Sequence, residues 1–264
     1  MPNYVQSLLF TAGWPQAWLR EISGFEEQSV AGTDVMEAIS LVDRLLVSGH
    51  RKADGRDQLS ARALASADRD RILAAIYRAT YSDRIKGTLE CSACGAPFDM
   101  DFSLGGFVDH AYSHDGELRA IQLPDGSYRI AEGLQMRLPT GEDEIATLGM
   151  DEAKAAEMML QRCLVEGDLA LAADVGQAAL ATVAPTLQTE IAADCPECGH
   201  GMAVYFDVQT YLLQSLLQDQ ESLTWEVHRL AKAYGWSLKE ILRLPRSVRR
   251  NHARLIEAEF VSNA

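Results

Sequence analysis

The pattern of apolar and polar positions predicts that residues 1–85 are mainly helical. The clearest helix follows Asp34, which has the spacing of a capping box with Glu37. Its apolar stripe repeats at helical spacing and consists of Val35, Ile39, Val42 and Leu46. A second helix is predicted from about Ser66 to Arg78, with apolar side chains along one face. Both helices are expected to pack into a core.

Two further segments, residues 86–102 and 188–207, alternate apolar and polar side chains with the period of a β-strand. Each segment consists of two strand-like runs on either side of a short turn. The chain therefore contains an internal duplication of a strand–turn–strand unit.

The stretch between these two units has a pattern of its own. A β-hairpin is predicted from residues 118–123, the turn Pro124-Asp125-Gly126 and residues 128–138. Helices are predicted from Asp151 to about Leu164 and from about Asp174 to Val183.

After the second unit the pattern is helical again, and helices are predicted over residues 208–218, 222–234 and 248–260. Gly235 begins a tight turn that ends the second of these helices. Ser237 and Glu240 have the spacing of a capping box, so a short helix is predicted before the last one.

Each turn of the duplicated unit carries a pair of cysteines that is followed at once by glycine. The pairs are Cys91 with Cys94 and Cys195 with Cys198. Thiolates are ligands that zinc prefers, and two intervening residues let both sulfurs of a pair reach one ion. The glycine permits the left-handed turn of a zinc knuckle. Four cysteines leave no open coordination position, so these residues are predicted to bind one structural Zn²⁺.

Other interpretations of the cysteines and histidines stay open from the sequence. The CxxC pairs also fit a redox-active dithiol, or a ribbon that has lost its metal. His200 is a possible replacement ligand, although four cysteines already suffice. Cys163 lies on the apolar face of a predicted helix and is expected to be buried. His110 and His114 have a spacing that can hold metal on a helix, but the glycines around them predict a loop.

Together these elements predict an α+β fold that is mainly helical and contains a Cys₄ zinc ribbon split by an inserted domain. The predicted domains are a helical region at 1–85, a ribbon at 86–104 and 187–208, an inserted hairpin with helices at 105–186, and a helical region at 209–264.

The 264-residue chain carries a formal net charge of −14, which argues against a surface that binds nucleic acid throughout. Residues 225–254 contain eight Lys or Arg and two Glu, a charge of +6, so the remainder carries −20. This polarity fits a basic end that docks on an acidic partner, which includes another copy of the chain. The predicted docking residues are Trp236, Arg246, Arg249, Arg250 and Arg254.

Other classes of protein are judged by the motifs they require. The sequence has no phosphate-binding glycine loop, GxSxG or HExxH, so no enzymatic activity is expected. It has no run of 18 apolar residues and no secretory signal pattern, so a cytoplasmic location is expected. The alternative function is a nucleic-acid-binding or regulatory protein that uses the basic last helix, although the acidic remainder disfavours it.

Three stretches carry a resemblance to a known family. Residues 19–27 (LREISGFEE) match an early segment of the form R-E-x-[ST]-G-x-[DE]-E. Residues 137–143 (RLPTGED) precede a helix that ends in Gln161-Arg162-Cys163. The third stretch is the longest and comprises Cys195-Pro196-x-Cys198-Gly199, Phe206-Asp207, residues 226–231 (EVHRLA), residues 234–237 (YGWS), residues 240–242 (EIL) and Arg249-Arg250. In this order the segments resemble the baseplate and hub-assembly proteins of contractile-tailed phages and related contractile injection systems.

The resemblance implies a non-enzymatic protein that is built into a baseplate or hub, or a chaperone that helps to assemble one. The partners it implies are baseplate, hub or tube proteins. The location it implies is the cytoplasm, or a phage-like particle that is assembled there.

Overall fold

The computed structural model describes residues 4–47, 58–113 and 120–262. Its helices are α1 (Gly24–Ser29), α2 (Val35–Leu45), α3 (Ser66–Thr80), α4 (Leu104–Tyr112), α5 (Gly141–Thr147), α6 (Glu152–Cys163), α7 (Leu169–Leu171), α8 (Gln177–Val183), α9 (Val208–Tyr234), α10 (Leu238–Arg243) and α11 (Arg246–Ser262). A π-helical turn at Ala172–Gly176 leads into α8. None of the helices in these ranges has both the length and the apolar content to cross a membrane.

The strands of the described ranges pair antiparallel. They are β1 (Tyr4–Ser7), β2 (Gln16–Leu19), β3 (Arg84–Glu90), β4 (Pro97–Ser103), β5 (Ile121–Gln122), β6 (Tyr128–Ala131), β7 (Leu134–Met136), β8 (Leu164–Glu166), β9 (Gln188–Asp194) and β10 (Gly201–Asp207). They form the hairpins β1–β2, β3–β4 and β9–β10 and a four-stranded sheet in the order β5-β6-β7-β8. The mixture of helices with antiparallel sheets confirms the predicted α+β class.

The two helices predicted in the N-terminal region form as α2 and α3, whereas α1 was not predicted. Asp34 Oδ1 accepts a hydrogen bond of 3.0 Å from the backbone N–H of Glu37, which caps α2. The second predicted helix corresponds to α3. The hairpin β1–β2, which pairs Tyr4 with Leu19, was missed because its strands are only four residues long.

Helix α9 corrects the prediction of two separate helices at 208–218 and 222–234. It is continuous over 27 residues, because no glycine or proline lies between the two segments. Its middle is also fastened to the N-terminal region. The side-chain amide of Gln220 donates to the carbonyls of Glu27 and Val30 at 3.2 and 2.7 Å.

Within the described ranges, apolar side chains form three clusters. The central cluster joins α2 and α3 to the first half of α9, through residues that include Leu212, Leu213 and Leu216. The second lies around β6, β7, α6 and α8 and includes Met136, Leu160, Cys163 and Leu180. The third lies between α9, α10 and α11 and consists of Leu230, Ile241 and Ile256. This arrangement of clusters does not test the predicted domain boundaries, which stay a prediction.

The hairpin predicted between the cysteine pairs is part of the four-stranded sheet. Its second strand, predicted as one run over 128–138, is interrupted after β6, where Gly133 adopts a φ of +70°. A left-handed residue of this kind reverses the chain, so β7 folds back on β6. Strand β8 follows α6 and extends the sheet. Residues 118 and 119 of the prediction lie outside the described residues.

A buried ion cluster fastens the C-terminal helices to α1. Glu27 pairs with Arg246 and Arg249, and the three side chains are at most 3% exposed. The neighbouring Glu26 accepts hydrogen bonds of 2.6 and 3.0 Å from the guanidinium of Arg20. We call this arrangement the first clamp, which consists of Arg20, Ser23, Gly24, Glu26, Glu27, Arg246 and Arg249.

The same arrangement recurs where α5 packs against the start of α3. Asp143 accepts hydrogen bonds of 2.6 and 2.8 Å from the guanidinium of Arg137. The adjacent Glu144 pairs with Arg69, whose side chain is 2% exposed. We call this the second clamp, which consists of Ser66, Arg69, Arg137, Thr140, Gly141, Asp143 and Glu144. Both clamps have the sequence form R-x-x-[ST]-G-x-[DE]-E, at residues 20–27 and 137–144.

The backbone of the clamps repeats as well. Ser23 pairs with Pro245, and Thr140 pairs with Ala65, each in a single antiparallel bridge. In both clamps a β-carbon on the glycine after the Ser or Thr would lie within 3 Å of a neighbouring side chain, Leu242 in the first clamp and Ile39 in the second. The same arrangement of side chains and backbone therefore connects distant segments of the chain at two places.

Candidate metal centre

The tips of hairpins β3–β4 and β9–β10 meet and bring four cysteines together. The Sγ atoms of Cys91 and Cys198 lie 3.7 Å apart, and those of Cys94 and Cys195 lie 3.8 Å apart. All four sulfurs lie within 4.8 Å of one another. Each of the two short distances joins one hairpin to the other, so the cluster connects segments more than 100 residues apart.

The two cysteine turns have the same geometry. In the first turn, the N–H of Cys91 donates to the Ala96 carbonyl at 3.0 Å, and the N–H of Gly95 donates to the Cys91 carbonyl at 2.8 Å. In the second turn the corresponding distances are 3.0 and 2.9 Å. Gly95 and Gly199 adopt φ values of +72° and +70°, which residues with a side chain rarely adopt. The internal duplication therefore extends to the backbone of the turns.

The distances between the sulfurs fit a tetrahedral metal ion. Metal–sulfur bonds of about 2.3 Å in tetrahedral geometry place the ligand sulfurs about 3.8 Å apart. Both cross-hairpin distances agree with that spacing. Four thiolates complete the coordination shell, so an ion held here has no open position for a substrate. Cys91 and Cys195 are buried, while Cys94 and Cys198 lie at the surface.

Hydrogen bonds favour the thiolate form at one of the ligands. The backbone N–H groups of Cys94 and Ala93 donate to the Cys91 sulfur and lower the pKa of that thiol to about 6. At Cys198 the backbone N–H of His200 also favours the thiolate, but the nearby Cys94 thiol opposes it, and the pKa is raised to about 12. A cation bound in the cluster would lower the pKa of Cys198 again, because metal binding displaces the remaining protons from the thiols.

The hairpin tips have no apolar core of their own. Across residues 86–103 and 188–205, the only buried residues are two of the cysteines. The bases of the hairpins are anchored differently, by aromatic rings such as Phe102 and Phe206, which meet edge to face at 5.2 Å. Each strand is seven residues long, so the tips lie roughly 20 Å from these bases. Two of the cysteines are therefore the fully buried side chains of the tips, beside half-buried apolar residues such as Leu89, Phe98 and Val204.

Two other candidate residues lie apart from the cluster. Among the described residues, the group at metal-binding distance contains the four cysteines and not His200. The side chain of His200 is exposed, and its carbonyl accepts the N–H of Cys195 at 3.0 Å. Cys163 is buried in the apolar cluster of the four-stranded sheet, as predicted.

The loop predicted around His110 is wrong, because His110 lies in α4. The signal for this helix is Ser103, whose hydroxyl accepts the N–H of Gly106 at 2.9 Å and caps the first turn. With the first turn capped in this way, the glycines do not prevent the helix. His110 is exposed, and His114 lies outside the described residues.

Two of the five predicted docking residues are buried. Arg246 is 3% exposed and Arg249 is 0% exposed. Both belong to the first clamp, and Arg249 also donates to Glu226 at 2.7 Å. They are not accessible to a partner in this structure, which corrects their predicted role. The sequence pattern could not reveal this, because their main partner, Glu27, lies more than 200 residues away.

The other three predicted docking residues are at least partly exposed. Trp236 packs beside Tyr234 and His252, with ring centres 4.8 and 5.3 Å away. Arg250 is partly buried and lies 3.3 Å from a carboxylate oxygen of Glu226. Arg254 is exposed.

A groove between α9 and α11 was not predicted. Trp225 lines it and is 58% exposed. Arg229 and Arg254 lie along the same groove. The sequence contained a signal for it, since Trp225 and Arg229 are four residues apart and therefore share one face of a helix.

Comparison of the chain with protein-family models, with curated proteins and with solved structures gives no match.

Proposed function

We propose that Cys91, Cys94, Cys195 and Cys198 bind one structural Zn²⁺ and join the two hairpins into a zinc ribbon. Residues 105–186 are then an insertion between the halves of the ribbon. The observation that carries the proposal is the absence of buried apolar side chains from the hairpin tips, which the structure describes in full. A hairpin with so little burial is marginal in water, so a metal adds the tertiary link that the tips need.

The protein acts by binding other proteins, without catalysis. The closed Cys₄ shell supports this role, because it offers no position at which a substrate can be activated. The buried charged side chains support it as well. In the described part of the chain, most of them serve the two clamps, which fix helices in place.

The most specific form of the proposal is a structural or assembly role in the baseplate or hub of a phage-like contractile tail or injection system. Its support is the order of three sequence stretches. Two of them, residues 19–27 and 137–143, contain the core of the two clamps. Glu226 and Arg249 of the third stretch meet at the first clamp. The resemblance therefore includes residues of the clamps, which connect distant segments of the chain. Such residues are the ones that proteins of the same architecture would share.

The groove between α9 and α11 is the docking surface in this proposal. It contains an exposed tryptophan beside arginines, and both residue types are enriched at protein interfaces. It also belongs to the basic end of an otherwise acidic chain.

Isolation of the tagged full-length chain from its own cells tests this role. Hub, tube or baseplate proteins are expected to co-purify, and Trp225→Ala with Arg254→Ala is expected to lose them. Lys154→Ala removes an exposed cation on α6 and serves as the control. Recovery of a partner-free monomer from a lysate that contains assembled particles would contradict the proposal.

The nucleic-acid alternative loses support from the first clamp, because Arg249 of its basic last helix is buried there. Binding of this kind weakens steeply with salt. No mobility shift of DNA or RNA is expected even at low salt.

A further inference from the structure

A pocket of about 220 Å³ opens between α6 and α8, above the end of β7. Its floor contains Met136, Leu138 and Cys163, which are 0%, 7% and 2% exposed. The walls are also apolar and include Leu160 and Leu180. The pocket is separate from the cysteine cluster and from the groove between α9 and α11, so neither of those sites explains it.

The chemistry of the lining is uncharged. None of the described residues that line the pocket is Asp, Glu, Lys, Arg or His. Burial raises the pKa of the Cys163 thiol to about 11, so this group is neutral at physiological pH. Gln177 and Thr186 are exposed and place an amide and a hydroxyl at the rim. A charged ligand would lose its hydration here without gaining an ion pair.

The volume limits the size of a ligand. A dry apolar cavity of roughly 150 Å³ holds benzene, so a pocket about half as large again holds about two fused rings. The thioethers of Met136 and Met159 line the pocket, and methionine side chains adapt to irregular shapes.

We propose that this pocket binds a small, uncharged, mainly apolar molecule of about two fused rings, with a neutral hydrogen-bonding group that reaches the rim at Gln177. The proposal goes beyond the structural role of the protein and does not depend on it. It is equally independent of the metal.

Titration of the full-length protein with three probes tests the proposal. Naphthalene and 2-naphthol are expected to bind saturably in ligand-observed NMR and to raise the melting temperature. The anion 2-naphthoate has a similar shape, and it is expected to bind at least about tenfold more weakly, because its carboxylate would be desolvated without a partner. Failure of both neutral probes to bind, or equal binding of the anion, overturns the proposal.

Variants on α8 locate the binding site. Ala181 lines the pocket and is exposed, so Ala181→Phe is expected to fill the mouth and abolish binding. Ala178→Phe is the matched control, because Ala178 is exposed on the same helix and does not line the pocket. Gln177→Ala is expected to weaken 2-naphthol about two- to tenfold and to leave naphthalene unchanged. Unchanged binding in Ala181→Phe overturns the proposal.

A measurement on the unaltered protein keeps the test valid if Ala181→Phe does not fold. Cys163 lines the pocket, so bound naphthalene is expected to slow its alkylation, measured by mass spectrometry of the Cys163 peptide. An alkylation rate that saturating naphthalene does not change overturns the proposal.

Discussion

Glu27 and Arg249 form an ion pair in which each side chain is 1% exposed, although 222 positions separate them in sequence. The same carboxylate also pairs with Arg246. A buried charge pair adds little net stability over an apolar core, but removal of one partner leaves the other charge buried and uncompensated. The first clamp therefore determines where α11 lies relative to α1.

Glu27→Ala is expected to lower the free energy of unfolding by about 3–5 kcal/mol, because Arg246 and Arg249 lose their shared carboxylate in a buried site. Urea denaturation followed by circular dichroism measures this change. Glu257→Ala is the control, since Glu257 pairs with Arg229 at the surface, and such pairs contribute about 1 kcal/mol or less. Equal small effects of the two substitutions would show that the first clamp does not hold the helices.

Substitution of the clamp glycines is expected to be destabilising for steric reasons. A β-carbon at Gly24 would lie 2.7 Å from Leu242 Cδ2, and one at Gly141 would lie 2.8 Å from Ile39 Cδ1. Gly24→Ala and Gly141→Ala are each expected to lower the unfolding free energy by about 1–3 kcal/mol.

Gly32→Ala is the control for these two substitutions, because the nearest atom to its β-carbon would be 3.8 Å away. It is expected to be neutral or to stabilise by less than about 1 kcal/mol, through the reduced freedom of the unfolded chain. Thermal and urea unfolding of the three variants give the comparison. A Gly141→Ala protein as stable as Gly32→Ala would contradict the close packing of the second clamp.

Asp70 is expected to make stability depend on pH near neutrality. It is fully buried, and burial raises its pKa to about 7, despite the opposing charge of Arg69. The unfolded chain has a pKa of about 3.9 at this residue, so the folded state binds the proton more tightly. The free energy of unfolding therefore falls as the pH rises from about 4 to about 7.

Asp70→Asn removes this pH-dependent loss of stability. The N–H of Leu187 donates a hydrogen bond of 2.9 Å to Asp70, and the amide oxygen of Asn can still accept it. As the pH rises from 5 to 8, the stability of the variant relative to the natural chain is expected to increase by about 2–3 kcal/mol. Urea titrations of both proteins at the two pH values measure the gain. Because both proteins share the same cysteines, metal effects cancel in the difference. The same stability difference at both pH values would refute the role of Asp70.

Local signals in the sequence were enough to predict the elements that depend on local interactions. The capping box at Ser237 and Glu240 and the glycine turn at Gly235 appear as predicted. The cysteine spacing predicted the members of the cluster, because ligand spacing within each turn is a local property. The predicted break within α9 failed, since polar residues alone do not end a helix.

The clamps could not be predicted from local pattern. Arg246 and Arg249 have the sequence appearance of a solvated basic helix, and only the fold places Glu27 beside them. The repeat of the form R-x-x-[ST]-G-x-[DE]-E at residues 20–27 and 137–144 was visible in the sequence. The structural role of the repeat was not visible, because the arginines that complete each clamp lie in other segments.

Metal analysis of the purified protein tests the central claim, that the four cysteines bind a structural zinc ion. Roughly one zinc per chain is expected for the natural chain and for Cys163→Ala, which removes a cysteine outside the cluster. Cys91→Ser with Cys195→Ser is expected to bind none and to lose several kcal/mol of stability, on the order of the coupling seen in small zinc modules. Zinc absent from the natural chain, with a melting temperature that a strong chelator leaves unchanged, would contradict the claim.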